Sequence, residues 1–345
     1  MSEQTVLPTT AGALAVTVTP AGADDVAAAL STYWALMGRL ELVAGERDTN
    51  FKLDTGQGQF LVKVTHPDET DVAVEAQVAV LEHINERNPA LPIQTLVRQI
   101  NGDRLLRYPA DLRRSMRVVT YLDGQLRRHT PWQDAIAPAI GAMAAELADT
   151  LATFQHPGCE QALLWDLRRL RELAPLLSYL KDDPIADAVA ATLSHYEDCI
   201  TLINELPSQA IHNDLNPTNL LVSPDGRTIR GLIDFGDMIR APAILDLAVA
   251  CAYLTDAPGI STAIVTCVAA YHARRPLTRE YLRALPDLIA TRWAMTILIT
   301  EWRATLQPQN ASYILRNNAA SRTGLAMLSG EGRQQLIQAL EEFAS

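Results

Sequence analysis

One stretch of the chain constrains the rest. Between Ala210 and Arg240, two short apolar runs, Leu220-Leu221-Val222 and Gly231-Leu232-Ile233, are joined by the turn Ser223-Pro224-Asp225-Gly226. The sequence on either side has helical periodicity. A hairpin planted in a helical region is unusual, and this one is bordered by polar residues at both ends. Before it runs Ile211-His212-Asn213-Asp214-Leu215-Asn216-Pro217-Thr218-Asn219; after it runs Asp234-Phe235-Gly236-Asp237. Folding the hairpin carries Asp214, Asn219 and Asp234 to one end of it. Three oxygen-bearing side chains there suit a hard divalent cation such as Mg²⁺, which prefers carboxylate and amide oxygens completed by water and phosphate. Phosphoryl transfer asks little more of a protein than an orienter for the attacking hydroxyl and such cation ligands.

The rest of the chain divides around this island. Residues 1–20 read as a loose arm and Ala23 to Leu40 as a helix. Leu40–Val43, Asn50–Leu53, Phe60–Val64 and Met116–Leu122 read as strands, with a helix from Asp71 to Ile84 between them. Leu96–Ile100 and Arg104–Tyr108 flank Asn101-Gly102, a strong hairpin signal. From about Pro131 helices dominate: 135–154, 163–179, 184–205, 243–257, 260–273, 278–304 and 332–343. The expected fold class is α+β and bilobal, an antiparallel sheet with one helix followed by a larger helical lobe.

In the strand Phe60-Leu61-Val62-Lys63-Val64 a single lysine interrupts an apolar run. A lysine alternating into a cleft can reach nucleotide phosphates as a point charge. Glu75 on the following helix is its expected partner. Gly45 permits a tight turn, and neighbouring N–H groups there can form an anion-binding nest. Asp246 lies inside the apolar helix Ala243–Ala250, where a carboxyl is costly unless hydrogen-bonded.

The pattern H-x-D-x-x-x-x-N followed by I-D-F-G-D resembles the aminoglycoside phosphotransferase/choline kinase family, a relative of the protein kinases. Several segments resemble its hydroxylysine kinase-like branch: Gly45-Glu46-Arg47-Asp48, Ile211–Asp214, Gly231–Met238 and Asp246–Ala250. The resemblance implies a protein-kinase-like fold: an N-lobe over 21–117, a hinge over 118–124 and a C-lobe over 125–345. The catalytic loop would be 211–221 and the metal loop 234–237. It makes Asp214 the catalytic base, Asn219 and Asp234 the Mg²⁺ ligands, and His212 and Asp246 the braces of the loop. Lys63 and Glu75 would orient the phosphates of ATP or GTP. Thr49, Asn50 and Arg47 would belong to the phosphate-covering turn, and backbone at Thr120 to Leu122 would read the purine edge. The implied substrate is an amino alcohol or hydroxyamino acid; aminoglycosides and sugars are the alternatives within the fold. Asp237, Arg292, Trp293, Glu301, Trp302 and Arg303 are the candidate walls of its pocket. A pseudokinase is disfavoured because Lys63, Asp214, Asn219 and Asp234 are all present. A protein kinase is disfavoured because no Ala-Pro-Glu segment follows Asp234.

Composition sets outer limits. The net charge of −11 argues against broad nucleic-acid binding, which needs a basic footprint. Cys159, Cys199, Cys251 and Cys267 form no CxxC pair, so a reduced, cytoplasmic setting is expected. No basic n-region opens the chain, and no apolar run approaches the ~18–20 residues that span a bilayer.

Overall fold

The computed structural model describes residues 19–343 apart from 44, 46 and 182, so nearly all of the arm expected over 1–20 lies outside the described residues. Helix α1 (Ala23–Ala29) continues as a π-helical turn to Trp34 and stops at Ala35, which adopts a left-handed φ of 54°. The helix expected to reach Leu40 therefore ends earlier, and Leu40 belongs to strand β1 (Arg39–Val43). Strands β2 (Thr49–Asp54) and β3 (Gln59–Val64) follow, then helix α2 (Asp71–Arg87), capped by the Thr70 side chain.

Three further strands complete the sheet: β4 (Leu96–Val97), β5 (Leu106–Arg107) and β6 (Ser115–Thr120). The order is β1-β2-β3-β6-β4, antiparallel at each junction, with β5 also on β6. The expected Asn101-Gly102 hairpin is corrected here. The tight turn exists, with Gly102 at φ 90° and its N–H donated to the Gln99 carbonyl. Yet β4 and β5 each pair with β6, at Leu96↔Val119 and Leu106↔Met116. Alternation buries Phe51, Leu53, Val62, Val64, Met116 and Val118 against Val26, Leu30 and Trp34.

Val118 to Thr120, expected in the hinge, are the end of β6. The next strand, β7 (Gln125–Leu126), no longer pairs with that sheet, so the chain changes lobe across 121–124. The second lobe contains α3 (Ile136–Leu151), a run of 3₁₀ turns over Leu167–Leu180, and α4 (Ala186–Asn204). The 3₁₀ run replaces the α-helix expected over 163–179. Its buried leucines, Leu167, Leu170, Leu173 and Leu176, recur every third residue, which is the 3₁₀ period, and Pro175 has no N–H to donate.

Strands β8 (Ser208–Ile211), β9 (Leu220–Val222), β10 (Ile229–Leu232) and β11 (Ile239–Pro242) make up the island. β9 and β10 form the expected hairpin, and β7 joins the outer side of β9. The pairing of β8 with β11 was not legible in the sequence. Helices α5 (Ile244–Ala252), α6 (Ile260–His272) and α7 (Arg279–Leu306) follow, then α8 (Ala311–Ile314), α9 (Asn318–Met327) and α10 (Gly332–Phe343). α7 is buried almost all round between Leu282 and Thr300, as the central helix of a core must be. Its threonines 291, 296 and 300 return their hydroxyls to carbonyls four residues back, which lets polar residues lie inside the lobe.

Candidate active site

The loop after β8 begins with two fully buried residues, His212 and Asn213. Asn213 has φ 65°, a left-handed conformation that asparagine tolerates better than most residues. The turn aims two N–H groups inward at Asp246 of α5: His212 N–H at 2.8 Å and Asn213 N–H at 2.6 Å. Burial pushes the Asp246 carboxyl above the usual range, while these two donors pull the other way. His212 accepts the Asp214 N–H at Nδ1 (3.3 Å), and its Nε2 lies 3.2 Å from the Ile233 carbonyl oxygen. The ring leans on Phe235, with centroids 4.7 Å apart. His212 thus ties this loop to the end of β10.

Asp214 is held by three side chains. Its Oδ2 accepts from Asn216 Nδ2 (2.7 Å) and Asn219 Nδ2 (2.8 Å), and its Oδ1 accepts from Arg292 Nη2 (2.9 Å). Asn219 Nδ2 also donates to the Asp214 carbonyl at 3.0 Å, so the amide oxygen is the atom Asn219 has to offer a cation. The Ile233 N–H donates to the Asn219 carbonyl at 2.9 Å and brings Asp234 alongside. Asp234 itself is left-handed (φ 68°), with its side chain 55% exposed and facing Lys63 Nζ at 3.9 Å. That ammonium holds the Asp234 carboxyl below its usual range. An amide oxygen and an exposed ionised carboxylate fit a magnesium ion whose remaining positions are filled by phosphate and water.

On the nucleotide side the structure rearranges the expected partners. Lys63 Nζ lies 3.6 Å from Asp48 Oδ2, whereas Glu75 pairs with Arg104 at 2.7 Å on another face of α2. Glu75 is therefore not the lysine's partner. The buried polar residue of α2 is Gln77, whose Oε1 accepts from Arg117 Nη2 at 2.5 Å. Thr49 is buried, and its hydroxyl accepts from the Ala21 N–H and from Arg114, so it does not face a phosphate. Arg47 pairs with Glu69 at 3.2 Å. Gly45 and Asn50 do come together: a Cβ on Gly45 would lie 2.3 Å from Asn50 Nδ2 and 2.6 Å from the Asp48 carbonyl oxygen, so the turn requires glycine. At the lobe connection, the Thr120 N–H and carbonyl are both engaged, with Thr95 and Gln94. Leu122, beside Gly231 of β10, remains at the connection.

On the acceptor side, only some of the expected wall residues approach Asp214. Arg292 does, but it is buried and bound to the carboxylate. Its guanidinium carbon lies 4.8 Å over the Trp165 ring and 5.6 Å over Tyr253, and Nη2 reaches the Tyr253 hydroxyl at 3.2 Å. Asp237 lies close enough to Arg292 to raise the affinity of the guanidinium for its proton. Trp293 is core, its indole N–H donated to the Ala252 carbonyl at 2.6 Å. Glu301 pairs with Arg322, Trp302 is buried, and Arg303 shares their end of the helix. Nine residues of α-helix separate Arg292 from Glu301, about 14 Å at 1.5 Å per residue, so the last three belong elsewhere. Sequence reasoning missed Trp165, Tyr253, Asp48 and Arg117. One signal was present for Tyr253, which follows Asp246 by seven residues, about two helical turns, and caps the end of α5.

A two-lobed fold that gathers Asp214, Asn219, Asp234 and Lys63 at one place has the form of a kinase-like phosphotransferase. The signature of the "Phosphotransferase enzyme family" matches residues 39–285, and the chain belongs to that family. A hydroxylysine kinase of Danio rerio is 27% identical over 301 residues, covering 82% of this chain and 83% of that protein. A homoserine kinase of Rhodopseudomonas palustris (strain HaA2) is 27% identical over 290 residues, covering 82% and 84%. The solved structure of a microcompartment-associated aminopropanol kinase superposes with a TM-score of 0.65 at 20% identity, covering 89% of this chain and 98% of that one, a likeness of fold.

Proposed function

We propose that this chain transfers the γ-phosphoryl group of a magnesium-bound nucleotide to the hydroxyl of a small amino alcohol or hydroxyamino acid. The observation that carries the reading is the convergence of Asp214, Asn219 and Asp234 at one end of the β9–β10 hairpin, with Lys63 3.9 Å from Asp234. The acceptor oxygen attacks the γ-phosphorus in line, the bond to the β–γ bridging oxygen breaks, and the hydroxyl proton passes to the Asp214 carboxylate. Three donors hold that carboxylate in one position, where it orients the hydroxyl as a loose transition state requires. Bound by Asn219, Asp234 and phosphate oxygens, magnesium would offset the negative charge of the phosphates. Lys63 addresses the same charge from β3.

The substrate class is supported by what the relatives have in common. Hydroxylysine, homoserine and aminopropanol all place a hydroxyl a few bonds from an ammonium. Asp237, whose charge is felt at Arg292 beside Asp214, is an acid that could meet such an ammonium, and the acidic balance of the chain favours a cationic ligand. A cytoplasmic setting is supported by four free, buried cysteines, and among the described residues no helix is long and apolar enough to cross a membrane.

The test is nucleotide consumption by the purified protein, with ATP or GTP, against amino alcohols, hydroxyamino acids, sugars and aminoglycosides. Turnover should be confined to the first two classes and fall ~10²–10⁴-fold in Asp214→Asn with nucleotide affinity retained. Turnover within about threefold of wild type in that variant removes Asp214 from the base role.

A further inference from the structure

β3 and β6 are adjacent, and their register sets Lys63 directly opposite Arg117. Two like charges facing each other across a strand pair repel. Here a carboxylate stands between them. Asp48 Oδ2 lies 3.6 Å from Lys63 Nζ and 3.7 Å from Arg117 Nη2, and Asp48 Oδ1 accepts the His66 N–H at 3.1 Å. Among the described residues of α2, Glu75 pairs with Arg104, and the residue bonded to Arg117 is the neutral Gln77.

We propose that Asp48 is the carboxylate that positions Lys63 for the nucleotide phosphates, and that Arg117 is the buried cation that locks Asp48 in place. The phosphate-covering turn and the cleft lysine are then one unit. Asp48 ends the turn that begins at Gly45, and that turn is tight enough to exclude any Cβ at Gly45. Arg117 offsets the charge of Asp48, which would otherwise cancel that of Lys63; Asp234, 3.9 Å from Lys63, is a further acid beside the cluster. Gln77 fixes Arg117 through Nη2. Arg117 is 3% exposed, and its Nη1 is buried without an acceptor among the described residues. The proposal depends on the kinase reading for the identity of the ligand.

The test is equilibrium binding of ADP and of adenosine, which carries no phosphate, to wild type, Asp48→Asn, Asp48→Glu, Arg117→Met and Glu75→Gln. Asp48→Asn and Arg117→Met should weaken ADP on the order of tenfold or more and leave adenosine within about twofold, because only charge-assisted contacts are lost. Asp48→Glu, which keeps the charge, should recover part of the ADP affinity. Should Arg117→Met fail to fold, as judged by its thermal transition, Arg117→Lys replaces it; it keeps the charge without the fork to Gln77, and ADP should weaken to a lesser degree. ADP affinity unchanged in Asp48→Asn, an equal loss for adenosine, or a loss found in Glu75→Gln instead overturns the proposal. Wild type that binds neither ligand overturns the kinase reading itself, which separates the two failures.

Discussion

Arg292 Nη2 donates to Oδ1 of Asp214 across 2.9 Å, and the guanidinium is packed over the faces of Trp165 and Tyr253. Burial alone would make this arginine easier to deprotonate, but Tyr253 and Asp214 outweigh it and the charge is held firmly. An arginine engaged in this way is a positioning residue for Asp214, the proposed base. It is poorly placed to receive a substrate carboxylate, because doing so would mean giving up Asp214.

Arg292→Lys should therefore lower kcat by about 10²-fold, the cost of a misplaced reacting group. An ammonium cannot bond Asp214, the Tyr253 hydroxyl and the Trp165 carbonyl from one plane. The nucleotide KM should stay near wild type, and acceptors with and without a carboxylate should lose the same factor. A rise confined to the KM of carboxylate-bearing acceptors would instead make Arg292 a substrate ligand.

The Lys63–Asp234 contact has a pH signature. Lys63 depresses the Asp234 carboxyl below its ordinary value of 3.8. A depressed acid contributes stability that is complete above the unfolded value and is lost as pH falls through the folded one. Lys63→Met removes the main cause, so the melting-temperature gap between wild type and variant should be fully open above about pH 5 and narrow as pH falls below 4. Asp234 is more than half exposed, so screening keeps this contribution to no more than about 1 kcal/mol. A gap that widens on acidification contradicts the pairing.

The contrast between Asp214 and Glu75 shows what the sequence could carry. Asp214, Asn219 and Asp234 lie within one short loop and hairpin, so local spacing and turn chemistry were enough to bring them together. Choosing an acid on α2 required knowing the rotation of the helix. Glu75 and Gln77 are two residues apart, about 200° around the axis, and face different neighbours. Similarly, Asn101-Gly102 announced its turn, but the edge that β4 and β5 would join was decided by β6, ten or more residues away. Trp165 and Tyr253 reach Arg292 from separate segments and share no sequence pattern with it.

Gly141 tests the packing of the second lobe. A Cβ there would lie 1.9 Å from the Cys267 carbonyl oxygen, so α3 and α6 approach as closely as they do only because the side chain is absent. Backbone cannot yield as a side-chain tip does. Gly141→Ala should destabilise by about 1–3 kcal/mol, with KM for nucleotide and acceptor unaltered in the folded fraction. Denaturant unfolding measures it, and an unchanged midpoint would mean that the two helices can slide apart.

Asp237 carries the last prediction, the recognition of the substrate ammonium. It closes the short 3₁₀ turn that begins at Phe235, and its charge is felt at Arg292, whose own Nη2 donates to Asp214. An ammonium carried close to a hydroxyl at Asp214 would share the field of this carboxylate. Loss of one such ion pair in a partly shielded cleft costs about 1–3 kcal/mol, or roughly tenfold to a hundredfold in affinity. Asp237→Asn should raise KM by that factor for an amino alcohol and leave the nucleotide KM near its wild-type value. The matched diol, in which a hydroxyl replaces the ammonium, should be a poor substrate for wild type and barely affected by the substitution. The measurement is kcat/KM for the two acceptors in both proteins. If amine and diol lose equally, Asp237 acts on Arg292 and not on the substrate, and the ammonium must be recognised elsewhere in the cleft.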